Sequence, residues 1–386
     1  MLTMKEMEEN KQHSGEELFD STLAEIEKNQ ERAASGQVNC IPVSFPWMAQ
    51  YYPGVERGTY QIVTANSGVA KSKFARYLYV INSYEFIKNN PDVDITLRIF
   101  YFSLEETKEK FMMSIISYWL YVKHKKRISI KELRSIGKPG VYLNQEIIEL
   151  IKQGKEYFAD LSKYVTVIDN VKNPTGIFKT MQEFSEKQGK WTYKTINIDG
   201  KDTTVKDTFI YEDSNLYVMC IVDHIGLLHS ERQHDKMLSK YDTIGLFSSK
   251  YAIELRNKYN NIIIVVQQQM ATQEKKQFTM KGQSIQEKLE PSLDGLADNK
   301  STQQDADDVF GLFAPDRYQI EEYEDYDILK LQDHFRMLLK LKGRDGVSNL
   351  RVPLYFDGAV NYFRELPSAK DPEMNKVYEK VRRLYE

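Results

Sequence analysis

The chain has 386 residues and a mass of 45.2 kDa, which suits one large α/β domain with an appendage, or two domains. Its 53 Lys and Arg against 56 Asp and Glu give a net charge of −3, which excludes a generally polycationic nucleic-acid binder but not a locally basic site. Hydrophobic residues make up 41% of the sequence and aromatic residues 12%, so a core can form and wholesale disorder is excluded.

Cysteine content and hydropathy restrict the compartment. Cys40 and Cys220 are too few for a disulfide framework or a cysteine-based zinc site, and they favour a reducing environment. The longest apolar runs, such as residues 262–266, fall far short of the roughly 20 residues that a membrane span needs. The polar, acidic N-terminus has no signal-peptide core. We expect a soluble, cytoplasmic α/β protein without a membrane partner.

Residues 1–40 predict an N-terminal arm with one helix. Ser14 is a candidate cap for a helix over GEELFDSTLAEIEKNQERAAS, and Gly36 ends it. The apolar positions form one helical stripe, Leu18, Phe19, Leu23 and Ile26. Because one helix cannot fold alone, this stripe must dock on its own domain or on a neighbouring subunit, and both alternatives stay open.

From about residue 40 the pattern alternates between strands and helices. The predicted strands are 59–64, 95–102, 164–168, 216–222 and 262–266, and the predicted helices are 72–87, 107–123, 175–187 and 241–259. Near-continuous apolar strands indicate burial on both faces, hence a mostly parallel sheet with helices on each side. Three further strands, 309–313, 335–342 and 350–356, have no predicted helix between them, which indicates an antiparallel C-terminal edge.

Two segments interrupt this alternation. Residues 189–213 predict an inserted hairpin that turns at Asp199-Gly200. Residues 270–305 are long, polar and irregular, and a loop of that size in a compact domain is usually functional. The predicted division is therefore an arm over 1–40, one large domain over 41–368 and a C-terminal helix over 369–386.

The turn after the first predicted strand carries a phosphate-binding pattern. Residues 65–72 read ANSGVAKS, which fits the P-loop G-x-x-x-x-G-K-[ST] except that alanine stands at both glycine positions. Backbone N–H groups and the helix N-terminus would bind phosphates, Lys71 would reach the β- and γ-phosphates, and Ser72 would ligate Mg²⁺. The candidate nucleotide-binding residues are Ser67, Gly68, Val69, Ala70, Lys71, Ser72 and Lys73. An ordinary strand-to-helix turn with a solvated lysine is the alternative.

Three more polar residues follow apolar strands. Asp223 ends the segment CIVD in the form of a Walker B strand, where it would share the Mg²⁺ shell with Ser72. Glu105, in FSLEE, could orient or deprotonate an attacking water. Gln268, after IIIVV, could sense a γ-phosphate. Each also has a plainer interpretation, as a polar strand end or as a helix N-terminal acid.

Taken together, these segments resemble the RecA-like motor domain of DnaB-type replicative helicases. The resemblance is carried by PGVERGTYQIVTANSGVAKS (53–72), FSLEE (102–106), IVDHIGLL (221–228), VVQQQ (265–269), QQDADDVF (303–310) and LKGRDG (341–346). The order and spacing of these motifs match that family from about residue 41 to 365. Details such as YPGVERG and SLEET resemble the phage-encoded branch, particularly DnaB-like proteins of crAss-like phages.

The resemblance implies a RecA-like P-loop NTPase that uses ATP and Mg²⁺ to move 5′–3′ on single-stranded DNA as a ring, usually a homo-hexamer. It assigns Walker A roles to Lys71 and Ser72, the catalytic glutamate to Glu105, Walker B to Asp223 and the γ-phosphate sensor to Gln268. For a phage-encoded protein, the place of action would be the host cytoplasm.

The resemblance also assigns residues outside the P-loop region. Lys342 and Arg344 match a trans-acting lysine and arginine finger that reach the nucleotide of the adjacent subunit; taken alone, they indicate only a charged turn. Single-stranded DNA would be held by loops after the Walker B and glutamine strands. The candidate DNA-binding residues are Arg232, Lys236, Lys275, Lys276 and Lys281, with solvated loops as the alternative.

Two departures from the family pattern affect these expectations. Ala70 stands where glycine normally precedes the lysine, and its Cβ could crowd a phosphate or strain the turn; we expect nucleotide binding to survive because the other motif residues are retained. Only about 40 residues precede the motor domain, so we expect coupling to a primase or helicase loader to be altered. The helix at 14–34 matches the linker helix that docks on the next subunit.

Two other functions remain open. A RecA-like recombination or loading ATPase would not unwind a forked duplex or form ring-shaped particles. A non-catalytic DNA-binding ring, which Ala70 suggests, would lack DNA-stimulated ATPase activity.

Overall fold

The computed structural model describes residues 15–137, 140, 142–198, 201–233, 235–270 and 289–385. The strands of its central sheet are β1 (Tyr60–Ala65), β2 (Thr96–Ser103), β3 (Val165–Ile168), β4 (Leu216–Asp223), β5 (Ile262–Gln268), β6 (Asp308–Phe313), β7 (Phe335–Gly343), β8 (Arg351–Asp357) and β9 (Tyr362–Glu365). They lie in the order β9-β8-β7-β6-β1-β5-β4-β2-β3. Six neighbouring strands, from β6 to β3, are parallel, and β7, β8 and β9 continue the sheet antiparallel.

Helices cover both faces of this sheet. They are α1 (Gly15–Ala34), α2 (Lys71–Ala75, a π-helical turn Arg76–Ile81, then Asn82–Asn89), α3 (Lys108–His124), α4 (Gln145–Gln153), α5 (Lys155–Tyr164), α6 (Pro174–Lys187), α7 (Lys240–Gly245, π-helical Leu246–Ala252, Ile253–Tyr259) and α8 (Glu373–Arg382). Side-chain caps define several of these N-termini: the Thr107 hydroxyl begins α3 and the Ser239 hydroxyl begins α7.

Shorter elements connect the main ones. The short helices are Pro46–Ala49, Ile130–Leu133, Ile225–Leu227, Thr302–Asp305, Pro315–Tyr318, Ile328–Leu331 and Gln332–His334. Three small two-stranded pairs are Ile41–Pro42 with Gly54–Val55, Arg232–Gln233 with Lys236–Met237, and Glu322–Tyr323 with Tyr326–Asp327. The predicted helices and strands of the parallel part are thus present, with bounds shifted by one or two residues.

The core has two main layers because alternate strand residues face opposite sides of the sheet. On one side, Val63 belongs to the cluster that includes Phe74 of α2. On the other, Ile62 belongs to the cluster that includes Ile177 of α6 and Phe247 of α7. The five apolar residues of β5, 262–266, are all fully buried between β1 and β4, as the continuous apolar run predicts.

The C-terminal edge differs from the predicted one in a single strand. β6, predicted as the first of three antiparallel strands, runs parallel to β1 and antiparallel only to β7. Its direction is set by the connection after β5, which returns the chain to the opposite end of the sheet before β6 begins. The short helix Ile328–Leu331 lies between β6 and β7, and β9 completes the edge; neither was predicted.

The predicted insertion is a long hairpin. Strands Gly189–Ile198 and Lys201–Tyr211 pair antiparallel, while the predicted turn at Asp199-Gly200 lies outside the described residues. The base of the hairpin packs its Trp191 and Phe209 rings against Tyr259 of α7, at centroid distances of 5.7 and 5.0 Å. These contacts hold the hairpin on the sheet end where β4 begins.

Helix α1 extends from the domain with its apolar stripe uncovered. The stripe residues Leu18, Phe19, Leu23 and Ile26 are between 41% and 66% exposed. The helix is tethered near its C-terminus, where Arg32 pairs with Asp94 at 2.6 Å. The proposed cap Ser14 lies outside the described residues. Of the two alternatives for this stripe, docking on its own domain is therefore not observed.

Within the described ranges, none of the helices is long and apolar enough to cross a membrane.

Candidate functional site

The predicted phosphate, metal and catalytic positions lie at one edge of the sheet. Strands β1, β5, β4 and β2 are parallel neighbours, so their carboxyl ends meet there. Gln268 is in register with Ala65, the last residue of β1, and Ser103 of β2 is in register with Asp223 of β4. Glu105 follows two residues after Ser103. The sheet therefore brings together residues that are up to 203 positions apart in sequence (65 to 268).

The turn between β1 and α2 has the left-handed backbone of a phosphate-binding loop. Gly68 has φ 78°, and Ala70 has φ 82° and ψ 29°. Glycine adopts such angles freely, whereas an L-residue with a Cβ loses roughly 1–2 kcal/mol there. The strain that the alanine at position 70 leads one to expect is thus present, and the loop still adopts the conformation that glycine would give it.

This turn presents a row of unused backbone donors. The N–H groups of Gly68, Ala70, Lys71 and Ser72 donate to no acceptor in the described part of the chain. Consecutive free N–H groups at the start of a helix form a concave anion site, and the helix dipole adds positive potential. The turn is therefore suited to bind a phosphate group.

Lys71 lies at the centre of this turn as a buried, unpaired cation. Its residue is 9% exposed, and it makes no hydrogen bond or ion pair with any residue that the structure describes. Burial lowers the pKa of Lys71, while the Asp223 and Glu105 carboxylates act in the opposite direction. A buried lysine without a direct partner is costly unless a ligand supplies an anion. The site is thus prepared for a negatively charged ligand.

Asp223 and Ser72 form an oxygen-donor pair beside Lys71. The Ser72 hydroxyl donates to Asp223 Oδ1 at 2.7 Å, and the Tyr101 hydroxyl donates to Asp223 Oδ2 at 2.5 Å. Asp223 is only 4% exposed, so both of its oxygens are oriented by fixed donors. Mg²⁺ prefers one or two protein oxygens together with substrate phosphates, which is the set this pair would complete. Among the described residues, no group of three or more His, Cys, Asp or Glu could hold a metal ion without a ligand.

The two acidic residues after β2 have different environments. Glu105 is exposed, and its carboxylate has no hydrogen bond or ion pair within the described ranges. Glu106 pairs with the buried Arg76 at 2.9 Å and with Lys110 at 3.2 Å. Burial by itself would raise the pKa of Glu106, but Arg76 outweighs that effect and the pKa is lowered. Glu106 is therefore structural, and Glu105 is the carboxylate available to a reactant.

The run Gln267-Gln268-Gln269 is divided in the same way by strand alternation. Gln267 donates to the Ala297 carbonyl at 2.8 Å, and Gln269 donates to the Thr64 hydroxyl at 2.9 Å; both are at most 2% exposed. Gln268 points to the other face and makes no side-chain hydrogen bond with described residues. Its amide is thus free for a ligand at the carboxyl edge.

Lys73 contributes its backbone rather than its side chain. Its Nζ donates to the Gly358 carbonyl at 2.5 Å, in the turn between β8 and β9. Burial, followed by the neighbouring Arg76, lowers its pKa. The amino group therefore does not face the phosphate turn as a free cation.

Lys342 and Arg344 lie at the opposite end of the sheet. Asp308, the first residue of β6, is in register with Gly343 and with Gln61, which is four residues, or about 13 Å, before the end of β1. Lys342 Nζ donates to the Ala306 carbonyl at 2.7 Å, and a separation of this size prevents either residue from reaching the phosphate turn of its own chain.

Arg344 pairs with Asp307 at 2.7 Å, and its side chain remains 46% exposed. Asp307 also accepts a hydrogen bond from the Tyr60 backbone N–H at 2.8 Å and pairs with Arg256 at 3.1 Å. The finger candidate is therefore held by a carboxylate that is fixed to the start of β1 and to α7, and it faces outward from the domain.

Of the predicted DNA contacts, two are described. Arg232 and Lys236 are exposed on the small two-stranded turn after β4, on the same side of the sheet as the site. This turn is anchored by Glu231, which accepts hydrogen bonds from Asn173 at 2.7 Å and Thr175 at 2.5 Å. The predicted contacts Lys275, Lys276 and Lys281 lie outside the described residues.

Sequence reasoning missed the side chains that hold the phosphate turn from outside. Arg317 Nη1 donates to the Ser67 carbonyl at 2.5 Å, and Arg336 Nε donates to the Val69 carbonyl at 3.0 Å. Tyr101, which orients Asp223, was missed as well. These residues stand in apolar strands or irregular segments, and no local pattern marks them, because the contact is made only when distant strands come together.

The fold was compared with known proteins. No protein-family model and no curated protein sequence matches this chain. Among solved structures, the ATPase domain of a phage helicase aligns with a TM-score of 0.62 over 92% of this chain and 100% of that domain, at 18% identity. A DnaB-like replicative helicase, solved with its interactions with primase, aligns with a TM-score of 0.60 over 92% of this chain and 68% of its own, also at 18% identity.

At this level of identity the likeness establishes the fold. The chain has the α/β fold of the ATPase domains of DnaB-like replicative helicases, which confirms the predicted RecA-like architecture and the structural side of the predicted resemblance. The parallel strands, the P-loop position after β1 and the antiparallel C-terminal edge are the parts of that fold on which the site depends.

The different surroundings of the three glutamines predict different consequences of mutation. Gln267→Ala should destabilise the protein by about 1–3 kcal/mol, because it leaves buried carbonyls without a donor. Gln268→Ala should leave the free energy of unfolding nearly unchanged. Urea denaturation of the two variants measures this difference, and a Gln268→Ala variant as unstable as Gln267→Ala would contradict the assignment.

The buried charge of Lys71 predicts a gain in stability on its removal. Lys71→Met should raise the melting temperature of the ligand-free protein at pH 7, because the folded state no longer buries an unpaired cation. Since the folded-state pKa of Lys71 lies below the unfolded value of about 10.4, the difference should shrink as pH rises towards 10. Calorimetry at pH 7 and 10 measures both effects.

The matched control for this experiment is Lys123→Met, an exposed lysine on α3, which should melt like the wild type at both pH values. A Lys71→Met variant that melts below the wild type at pH 7 would show that the two carboxylates already compensate the buried charge.

Proposed function

We propose that this chain is the motor subunit of a ring-forming, ATP-dependent DNA helicase. The observation that carries the proposal is the convergence of five side chains at one sheet edge, Lys71, Ser72, Asp223, Glu105 and Gln268, around a turn whose N–H groups are unused. The fold shared with the ATPase domains of DnaB-like helicases supports this assignment. The domain division is proposed to follow the sequence, with the motor over 41–368.

Each residue at this edge has a role that its surroundings suit. The N–H groups of the turn and Lys71 bind the phosphates of ATP, with the buried lysine neutralising charge that water cannot screen. The Ser72 hydroxyl and the Asp223 carboxylate would hold Mg²⁺, which supplies charge neutralisation for the β- and γ-phosphates. Glu105, unpaired and exposed, orients the attacking water and accepts its proton, while Gln268 donates a hydrogen bond to the γ-phosphate.

The position of Lys342 and Arg344 supports hydrolysis between subunits. They lie at the sheet end opposite their own phosphate turn, and the Arg344 side chain is partly exposed. In a ring they would stabilise transition-state charge in the neighbour's site, so hydrolysis would depend on how adjacent subunits are placed. The uncovered stripe of α1 is suited to dock on that neighbour, and we propose a homo-hexamer.

The DNA path is proposed to run past the turn that follows β4. Arg232 and Lys236 project from it as exposed cations, and several copies around a ring channel would track a phosphate backbone despite the chain's net charge of −3. Lys275, Lys276 and Lys281 are proposed contacts from the second loop. The 5′–3′ direction, and a primase or helicase loader as partner, are proposed by analogy with DnaB-like helicases, one of which was solved with its interactions with primase.

An ATPase assay with and without single-stranded DNA tests the proposal. Wild type should hydrolyse ATP faster in the presence of DNA, and Glu105→Ala should lower the rate by about 100-fold or more because the water loses its base. Glu109→Ala, an exposed glutamate on the first turn of α3, is the matched control and should retain activity.

The other outcomes separate the alternative functions. If the wild type shows no DNA-stimulated hydrolysis, the chain is a non-catalytic ring. If it hydrolyses ATP but neither unwinds a forked duplex nor forms rings, it is a recombination or loading ATPase.

Mixing two inactive variants tests the contribution from the neighbouring subunit. Lys71→Ala and Arg344→Ala should each be inactive alone, because one lacks the phosphate-binding lysine and the other the finger. Random co-assembly should restore about one quarter of the interfaces, since some interfaces then combine an intact Lys71 with an intact neighbouring Arg344. Measurable ATPase activity only in the mixture supports action in trans; a fully active Arg344→Ala variant would refute it.

A further inference from the structure

The peptide bond between Val69 and Ala70 is held from outside the phosphate turn by one buried arginine. Arg336 Nε donates to the Val69 carbonyl at 3.0 Å, although the two residues are 267 positions apart in sequence. Ala70 is the residue whose left-handed backbone, at φ 82°, is unfavourable for alanine. The hydrogen bond from Arg336 thus acts on one of the two peptide planes that this strained residue joins.

Arg336 is itself rigidly placed. It is 1% exposed on β7, and its Nη1 donates to the carbonyls of Asp333 and Phe335 at 2.8 and 2.7 Å. Its Nη2 donates to the Asp333 carboxylate at 2.7 Å, and the guanidinium lies 4.6 Å from the centre of the Phe356 ring. A planar group with this many fixed partners cannot turn without breaking several of them.

The geometry of a trans peptide connects this arginine with the phosphate site. The C=O and N–H of one peptide unit point in opposite directions. When the Val69 carbonyl is held outward on Arg336, the Ala70 N–H must point inward, where it meets no acceptor among the described residues. The same relation holds one step earlier, where Arg317 holds the Ser67 carbonyl and the Gly68 N–H is unused.

Without this hold, the turn would have a reason to change. Relaxing Ala70 to an ordinary backbone conformation would recover roughly 1–2 kcal/mol and would rotate the adjoining peptide planes, removing an N–H from the anion site. Glycine at this position would have no such reason, because the left-handed conformation costs it nothing.

We propose that Arg336 is a positioning residue for nucleotide binding: its hydrogen bond to the Val69 carbonyl keeps the Ala70 N–H directed at the phosphate, and so allows alanine to stand where the P-loop pattern has glycine. This inference rests on the proposed nucleotide-binding function. It makes Arg336 and Ala70 energetically coupled, which a merely structural arginine would not be.

A double-mutant cycle on the full-length protein tests the coupling. The dissociation constant for MgADP and the melting temperature are measured for wild type, Arg336→Met, Ala70→Gly and the double variant. Arg336→Met should weaken MgADP binding by about tenfold, and in the Ala70→Gly background the loss should fall to about threefold or less. The melting temperature should drop equally in both backgrounds, because the contacts with residues 333 and 335 are lost in each.

Two further variants keep the test decisive if Arg336→Met folds poorly. Arg336→Lys retains a buried cation able to reach one carbonyl, and should bind MgADP with intermediate affinity. Lys340→Met removes another buried cation of β7, which is 4% exposed and pairs with Asp308 at 2.9 Å, at the end of the sheet away from the phosphate turn. It should lower the melting temperature without changing MgADP affinity.

Unchanged MgADP affinity in Arg336→Met, or the same loss in both backgrounds at position 70, would overturn the inference and leave the proposed function intact. A wild-type protein that binds neither MgADP nor MgATP would overturn the proposed function, and the inference with it.

Discussion

Strands β1, β5, β4 and β2 run in the same direction, and the backbone hydrogen bonds between them set which residues end side by side. This parallel register is the constraint on which the candidate site depends, because it places the phosphate turn, Gln268, Asp223 and the segment of Glu105 at one edge. The strands are buried on both faces, so a slip in register would expose apolar side chains and misplace every polar strand end at once. The stability of the core and the geometry of the site are thus two results of the same pairing.

The two ends of the sheet carry complementary halves of the proposed chemistry. At the carboxyl end of β1 lies the phosphate turn; at its amino end, Asp307 binds both the Tyr60 N–H and Arg344. A finger that acts on the neighbouring subunit would therefore be attached to the strand that leads into its own subunit's phosphate site. That arrangement offers a direct mechanical link between successive sites of a ring, through one strand rather than through a long chain of side chains.

Charge in this protein is organised locally. The net charge of −3 says little about ligands, because the cations that matter are buried and individually placed. Arg76 is neutralised by Glu106, and Arg336 is bound by carbonyls and Asp333, whereas Lys71 has no direct partner among the residues that the structure describes. The contrast identifies Lys71 as the cation that a ligand would complete, and it explains how an acidic chain can contain an anion site.

Much of the fold followed from local pattern. Apolar runs such as 262–266 predicted buried parallel strands, and the turn chemistry around Lys71 predicted a phosphate site, because both depend on residues close together in sequence. The selection of Gln268 from three consecutive glutamines agrees with its free amide, although only strand alternation shows why its neighbours are engaged. Tertiary structure decided what depends on distant contacts. The direction of β6 is set by a long connection, and the holding of the Val69 carbonyl by Arg336 brings together residues 267 positions apart, for which no local spacing provides a signal.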